Sequence, residues 1–271
     1  ITLPFVGNTR DSTGKEAYVS YIFNYSSSNN SSSAIPSTLK EVVITDATQI
    51  GNDAINGCSY IEKITLNDEV TTIGKYAFRG CSGLTSITLS ENLKTIGNSA
   101  FSDCTGVTEF NLPDGLETIG STAFYNCTGL TEIEVPNSVT TIGYHAFGDI
   151  NLTKVTLPFV GISRDATGDS ARLYYIISDY DSSLVPSTLK EVIITDATQI
   201  GISAFYGCSN IEKITLNDGV KTIGDSAFNS CTGLKEIDLP ETLTSIGSYA
   251  FYNCSKLASD IIIPSGVTAI N

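Results

Sequence analysis

The pair Ile-Gly recurs at 50–51, 73–74, 96–97, 119–120 and 142–143, each 23 positions after the last, and returns with the same step at 200–201, 223–224 and 246–247. A fixed period in the twenties marks one supersecondary unit stacked on copies of itself, because a unit that small cannot bury its apolar face alone. Within Leu84–Ile96 the large apolar positions are Leu84, Ile87, Leu89, Leu93 and Ile96; Gly97, Ala100-Phe101 and Cys104 follow, and Val107 opens the next unit. Alternation in Ile-x-Leu predicts a short strand with one buried face. The prolines after it (Pro113, Pro136, Pro158, Pro240, Pro264) lack an N–H and should end its pairing. The glycine after the second isoleucine is expected to make a tight turn. Ala-Phe-x-x-Cys is too short for a free helix and predicts one helical or 3₁₀ turn held by stacking. Each phenylalanine should lie over its counterpart in the next coil, with Ile55 standing in for the ring in the first full coil.

Leu-x-x-Ile-x-Leu followed by Ile-Gly-x-x-Ala-Phe-x-x-Cys resembles the leucine-rich repeats of the BspA-like bacterial surface-protein family, with eight Ala-Phe or Ala-Ile pairs at matching places along nearly the whole chain. The resemblance implies an α/β repeat: a curved leucine-rich-repeat solenoid, a right-handed coil with parallel strands on its concave face and short helical or 3₁₀ turns opposite. It further implies a place outside a bacterium and a role as an adhesin for host proteins.

The 271 residues are read as one elongated domain, 1–271, because a solenoid core is a continuous column. No run of 18 uncharged apolar residues is present, so no segment is expected to enter a membrane. The chain has no Met, and Ile1-Thr2-Leu3 reads as the middle of a repeat strand, so a longer parent protein is expected. With 15 basic and 29 acidic residues the net charge is −14, which disfavours nucleic acid and favours solubility and a basic patch on a partner. Seven cysteines (58, 81, 104, 127, 208, 231, 254) occupy one slot of the repeat, with Ile150 in the fifth unit. An odd count, no C-x-x-C, and a ladder step of about 5 Å predict buried, reduced thiols.

A longer repeat overlies the short one. Ile1–Gly7 matches Val155–Gly161 at an offset of 154, and Pro36–Val42 matches Pro186–Val192 at an offset of 150, giving duplicated blocks 1–154 and 155–271. Each block carries an enlarged coil, at 4–38 and 158–188. The extra chain holds Tyr18, Tyr21, Phe23 and Tyr25 in one copy and Tyr174, Tyr175 and Tyr180 in the other. Insertions in solenoids often carry binding. The alternative is that Tyr21-Ile22-Phe23 and Tyr175-Ile176-Ile177 replace the missing Ala-Phe-x-x-Cys plug, with a mobile tip at 26–33.

Side chains between the buried strand positions line the open face. In rung order they include Glu41 and Val43, Lys63 and Thr65, Ser86 and Thr88, Glu109 and Asn111, Glu132 and Glu134, Lys154 and Thr156, Glu191 and Ile193, Lys213 and Thr215, and Glu236 and Asp238. Glu109, Glu132 and Glu134 fall on adjacent rungs and form the leading candidate for meeting a cationic partner. Asn111, Lys154, Glu236 and Asp238 complete the candidate face. Val43 and Ile193 are expected to pack beneath the insertions.

Signals for catalysis are weak. His145 is the only histidine and is read as solvent-facing, since Tyr76, Ser99, Thr122 or Ser226 fill its slot elsewhere. Neither a G-x-S-x-G elbow nor a phosphate-binding loop nor H-E-x-x-H occurs. Asn67-Asp68 and Asn217-Asp218 lack the spacing of a calcium loop and are read as turn residues. The expectation is a non-enzymatic recognition module, monomeric, with no cofactor and no metal. Its partner would be an extracellular protein, bound by the concave face, the enlarged coils, or both. The competing readings are a structural stalk and a carbohydrate-binding surface using Tyr18, Tyr21, Tyr174 or Tyr175.

Overall fold

The computed structural model describes residues 1–6, 35–178, 185–257 and 261–270. The chain is a parallel-strand β-solenoid of about nine turns with almost no helix. Its contacts separate two compact units, Ile1–Thr131 with Thr141–Ile150, and Glu132–Thr140 with Asn151–Asn271.

Strands are numbered in chain order. In the first unit one sheet runs β1 (Thr2–Leu3), β2 (Glu41–Ile44), β4 (Lys63–Thr65), β6 (Ser86–Thr88), and a second runs β3 (Gln49–Ile50), β5 (Thr72–Ile73), β7 (Thr95–Ile96), β8 (Thr118–Ile119), β10 (Thr141–Ile142). In the second unit one sheet runs β9 (Glu132–Glu134), β11 (Lys154–Leu157), β12 (Glu191–Ile194), β14 (Lys213–Thr215), β16 (Glu236–Asp238), and the other β13 (Gln199–Ile200), β15 (Thr222–Ile223), β17 (Ser245–Ile246), β18 (Ala269–Ile270). All pairings are parallel and in repeat register, Ile50 on Ile73 and Ile73 on Ile96, for example. Like side chains therefore stack on like, and each coil covers the apolar face of the previous one.

The aromatic column forms as expected. Phe78 and Phe101 stack at 5.2 Å with planes 9° apart, Phe124 and Phe147 at 5.5 Å and 7°, and Phe205 and Phe228 at 5.2 Å and 14°. Ile55 is fully buried at the head of the first-unit column. All seven cysteines are free thiols, six of them buried and Cys254 half-buried. Each of Cys104, Cys127, Cys231 and Cys254 donates its S–H to the carbonyl of the phenylalanine 26 residues earlier, at 3.1 Å.

The outer segments are linked turns rather than helices. In Tyr76–Cys81, Arg79 N–H donates to Tyr76 O and Cys81 N–H to Phe78 O, but Tyr76, Phe78 and Gly80 donate forward to Asn98, Ala100 and Ser102 of the next coil. Tyr76 and Gly80 have φ of 59° and 70°, and the same two slots are left-handed at Ser99 and Asp103 and at Thr122 and Asn126. Left-handed residues aim alternate N–H groups along the stack, so the turns gain inter-coil bonds that a helical turn would have kept within one coil.

The repeated glycine has a reason other than a tight turn. Its φ lies outside the left-handed region, yet a Cβ at Gly120 would stand 2.5 Å from Asn98 N, and one at Gly143 2.2 Å from Ser121 N. Neighbouring backbones pack there too closely for any side chain.

One coil departs from the pattern. Phe110 replaces the strand isoleucine, and its ring enters the core 5.0 Å from Phe101 and 4.7 Å from Phe124, the latter edge-on at 69°. The column widens to 5.6 Å between Phe101 and Phe124. Residues 107–113 form no strand, and Leu112 is half exposed where Val135 is 1% exposed. A ring longer than isoleucine holds this backbone off the ladder, so β6 ends one sheet and β9 begins another.

Candidate functional site

The candidate face divides between the units. Glu109 and Asn111 are exposed in the first unit, on the strandless run beside Phe110. The ladder register that was to set Glu109 beside Glu132 is therefore missing among the described residues. Glu132, Glu134, Lys154, Glu236 and Asp238 all lie on the β9–β11–β12–β14–β16 sheet of the second unit.

Their register is informative. Glu132 lies opposite Lys154, Lys154 opposite Glu191, Glu191 opposite Lys213, and Lys213 opposite Glu236. One row of the face thus alternates in charge, coil by coil. Lys213 Nζ sits 2.7 Å from Glu236 Oε1, and this hydrogen bond raises the lysine pKa above its ordinary value. At the strand entrance Lys235 and Glu212 approach to 2.5 Å, and the lysine holds the carboxyl below its usual range. The first unit repeats the arrangement with Lys63–Glu41 and Lys40–Glu62, both at 2.9 Å. The parallel row reads Glu134, Thr156, Ile193, Thr215, Asp238 and contains no basic residue. Val43 and Ile193 are half-buried on these faces.

The enlarged coil of the second unit is described over 158–178 and 185–188. Gly161, at φ +88°, lies so close to the returning chain that a Cβ would be 2.4 Å from Ser170 O; Ile162 N–H closes this loop onto the same oxygen at 2.9 Å. Arg164 pins the coil to its neighbours, donating from Nη2 to Asn137 O at 2.9 Å and to Asp196 Oδ2 at 2.6 Å, and from Nη1 to Asp196 O. The coil's only α-helix among the described residues is Tyr174–Ile177. Its plug is Leu173, whose N–H donates to Ala204 O at 2.8 Å just as Phe78 N–H donates to Ala100 O. Leu173, Ile176 and Ile177 are fully buried, so Leu173 fills the phenylalanine slot, while Tyr175 of the expected Tyr175-Ile176-Ile177 plug is only half-buried and Tyr21-Ile22-Phe23 lies outside the described residues. Tyr174 and Tyr175 are half-buried, and the Arg172 guanidinium lies 5.8 Å from the rings of both Tyr174 and Tyr206. Tyr18, Tyr21, Tyr25 and Tyr180, with the 26–33 tip, lie outside the described residues.

His145 is a correction. It is 2% exposed, not solvent-facing. Its slot lies in the seam between coils, where the Ser99 and Thr122 hydroxyls meet at 2.6 Å, and the Tyr144 ring stands edge-on 3.7 Å away. Asn67 and Asn217 act structurally: each amide accepts from the backbone N–H of Ala47 or Ala197 and donates to the same residue's carbonyl, at 2.9–3.1 Å. Their recurrence at one slot was the available signal; that the amide would bridge coils was not readable from one strand of text.

The sequence model of the BspA-type leucine-rich-repeat region, in six copies, matches residues 48–166 and 182–271. The chain belongs to this family. The BspA-type chain is also similar to solved structures of a leucine-rich repeat protein from Bacteroides ovatus (23% identity, 85% of this chain and 82% of that one, TM-score 0.41) and a leucine-rich cell surface protein from Faecalibacterium prausnitzii (22%, 95% and 86%, 0.38). The pneumococcal vaccine antigen PcpA is similar at 22% identity, over 86% of this chain and 68% of the antigen, with TM-score 0.40. No curated protein matches the BspA-type chain.

Proposed function

We propose that this chain is a non-enzymatic recognition module of a bacterial secreted or surface-attached protein, holding a basic extracellular protein against its open strand face. The observation that carries the reading is the second unit's face. There, one row neutralises itself coil by coil, while the parallel row ends in Glu134 and Asp238 with no basic residue in it. Such a row offers exposed carboxylates on a ladder whose spacing is set by backbone pairing, which suits electrostatic steering and register rather than deep burial. Family membership and the thiol column agree with it, since burial would protect reduced cysteines in an oxidising exterior. The enlarged coil adds Arg172 and Tyr174, with Tyr206 of the following coil, as a second contact region.

The test is capture of matrix and serum proteins by the immobilised chain. Glu134→Lys with Asp238→Lys should weaken capture at least tenfold and make it less salt-sensitive, with the melting curve unchanged. Glu109→Lys, on the other unit, serves as a separate arm. Capture indifferent both to these reversals and to deletion of the loop tips would favour a stalk that only holds another domain away from the cell.

A further inference from the structure

The second unit also carries a cleft on its other sheet, away from the charged strand row. Its inner end is a cavity of about 50 Å³ under the enlarged coil, lined by Phe159, Arg164, Ala166, Ala171, Ala197 and Gln199. Through Ala171, Gln199 and Gly201 it continues into a depression of about 230 Å³ over Ile202, Thr222 and Gly224. Through Ile202, Thr222 and Gly224 this leads into another of about 250 Å³ at Asp225, Ser245 and Gly247.

The floor is nearly bare because Gly201, Gly224 and Gly247 succeed one another along it. Packing demands the last two: a Cβ would meet Ile202 N at 2.8 Å and Asp225 N at 2.5 Å. It does not demand Gly201. There the nearest atom to an added Cβ is Ala171 Cβ at 3.6 Å, an ordinary contact, and φ is not left-handed. The absent side chain at Gly201 keeps the passage between inner cavity and cleft open, which the fold itself does not require.

One wall is polar and periodic. Gln199, Thr222 and Ser245 stand in register on successive coils, about 4.8 Å apart. Across the floor, Ile202 is 63% exposed, and Asp225 accepts the Ser248 N–H through Oδ1 at 2.7 Å.

We propose that this cleft binds an unbranched neutral glycan containing N-acetylhexosamine, laid across the coils with one ring per coil. A hexose is about as long as the step between coils, so each ring meets one amide or hydroxyl of the Gln199, Thr222, Ser245 row. An extended peptide advances only about 3.3 Å per residue and falls out of step. The chain's charge of −14 selects against anionic glycans. The Arg164 guanidinium is already engaged by Asp196 and Asn137, and the alanine-lined cavity fits the methyl of an acetamido group.

Calorimetric titration with chitotetraose and cellotetraose tests this. Chitotetraose should bind, with cellotetraose at least tenfold weaker. Gly201→Ala, which closes the passage without crowding the backbone, and Thr222→Val with Ser245→Ala, which removes hydroxyls, should each weaken binding about tenfold with unchanged melting. Glu134→Lys with Asp238→Lys should leave chitotetraose binding intact, so failure here is separate from failure of the protein-capture reading. No binding of either sugar at millimolar concentration, or binding indifferent to both cleft variants, would overturn the proposal; cellotetraose binding as well as chitotetraose, or better, would overturn the acetamido assignment.

Discussion

Phe124→Ala probes the feature on which the stack most depends. The ring is fully buried and touches three others: Phe101 at 5.6 Å, Phe147 at 5.5 Å and Phe110 at 4.7 Å. Truncating a buried phenylalanine costs about 3–5 kcal/mol through lost transfer energy and the cavity left behind. Each aromatic pair adds about 0.5–1.5 kcal/mol beyond buried area, so three lost pairs place this site near the upper end, about 4–5 kcal/mol. The cavity cannot collapse easily, because backbone ladders on either side fix the spacing of the coils. Phe251 is the internal control: it is half-buried and stacks on Phe228 at 5.1 Å, so Phe251→Ala should lose less than half as much. Urea unfolding followed by far-UV circular dichroism measures both. A Phe124→Ala loss below about 1 kcal/mol, or one equal to that at Phe251, would refute stacked rings as a principal source of stability. A cycle with Phe110→Ala should show about 1 kcal/mol of coupling to Phe124.

The thiol column predicts an alkaline limit to stability. Desolvation pushes Cys81, Cys127 and Cys208 from the ordinary 9.0 to about 12, and raises Cys58, Cys104 and Cys231 as well. Unfolded thiols lose their protons near pH 9 while folded ones keep theirs, so stability should be flat below about pH 8. It should fall between about pH 9 and 12 by about 1.4 kcal/mol per pH unit for each buried thiol. Urea midpoints that did not move over that window would contradict burial, and a thiol reagent at neutral pH should reach Cys254 before the rest. For the amide bridges, Asn67→Ala removes two part-buried hydrogen bonds to Ala47 and should cost about 1–3 kcal/mol. Asn217→Ala should match it, and an effect within error at both would reduce these asparagines to ordinary turn residues.

The gaps between sequence and structure are specific. The outer turns were expected to be single helical or 3₁₀ turns because Ala-Phe-x-x-Cys is too short for a free helix. Yet the left-handed slots at Tyr76 and Gly80 redirect their bonds to the next coil, a choice that exists only once a next coil is present. Polar occupants made the His145 slot look exposed, whereas the folded chain leaves it 2% exposed with the Tyr144 ring against it. Glu109 seemed to stand on the rung next to Glu132 because the 23-residue count continues unbroken through 107–113, while Phe110 lifts that run off the ladder. The cleft left almost no trace, since Gly201 reads like every other repeat glycine and only its surroundings show that a methyl group would fit.

Sequence alone determined which residues stack on which. A constant step places equivalent side chains one strand spacing apart, so the isoleucine ladder, the phenylalanine column and the reduced thiols follow from counting. Tertiary structure decided what one ring too long does to a ladder, where an amide reaches across coils, and where a bare backbone leaves room for a ligand. Those outcomes depend on distances between chains of atoms far apart in sequence, which a repeat period does not contain.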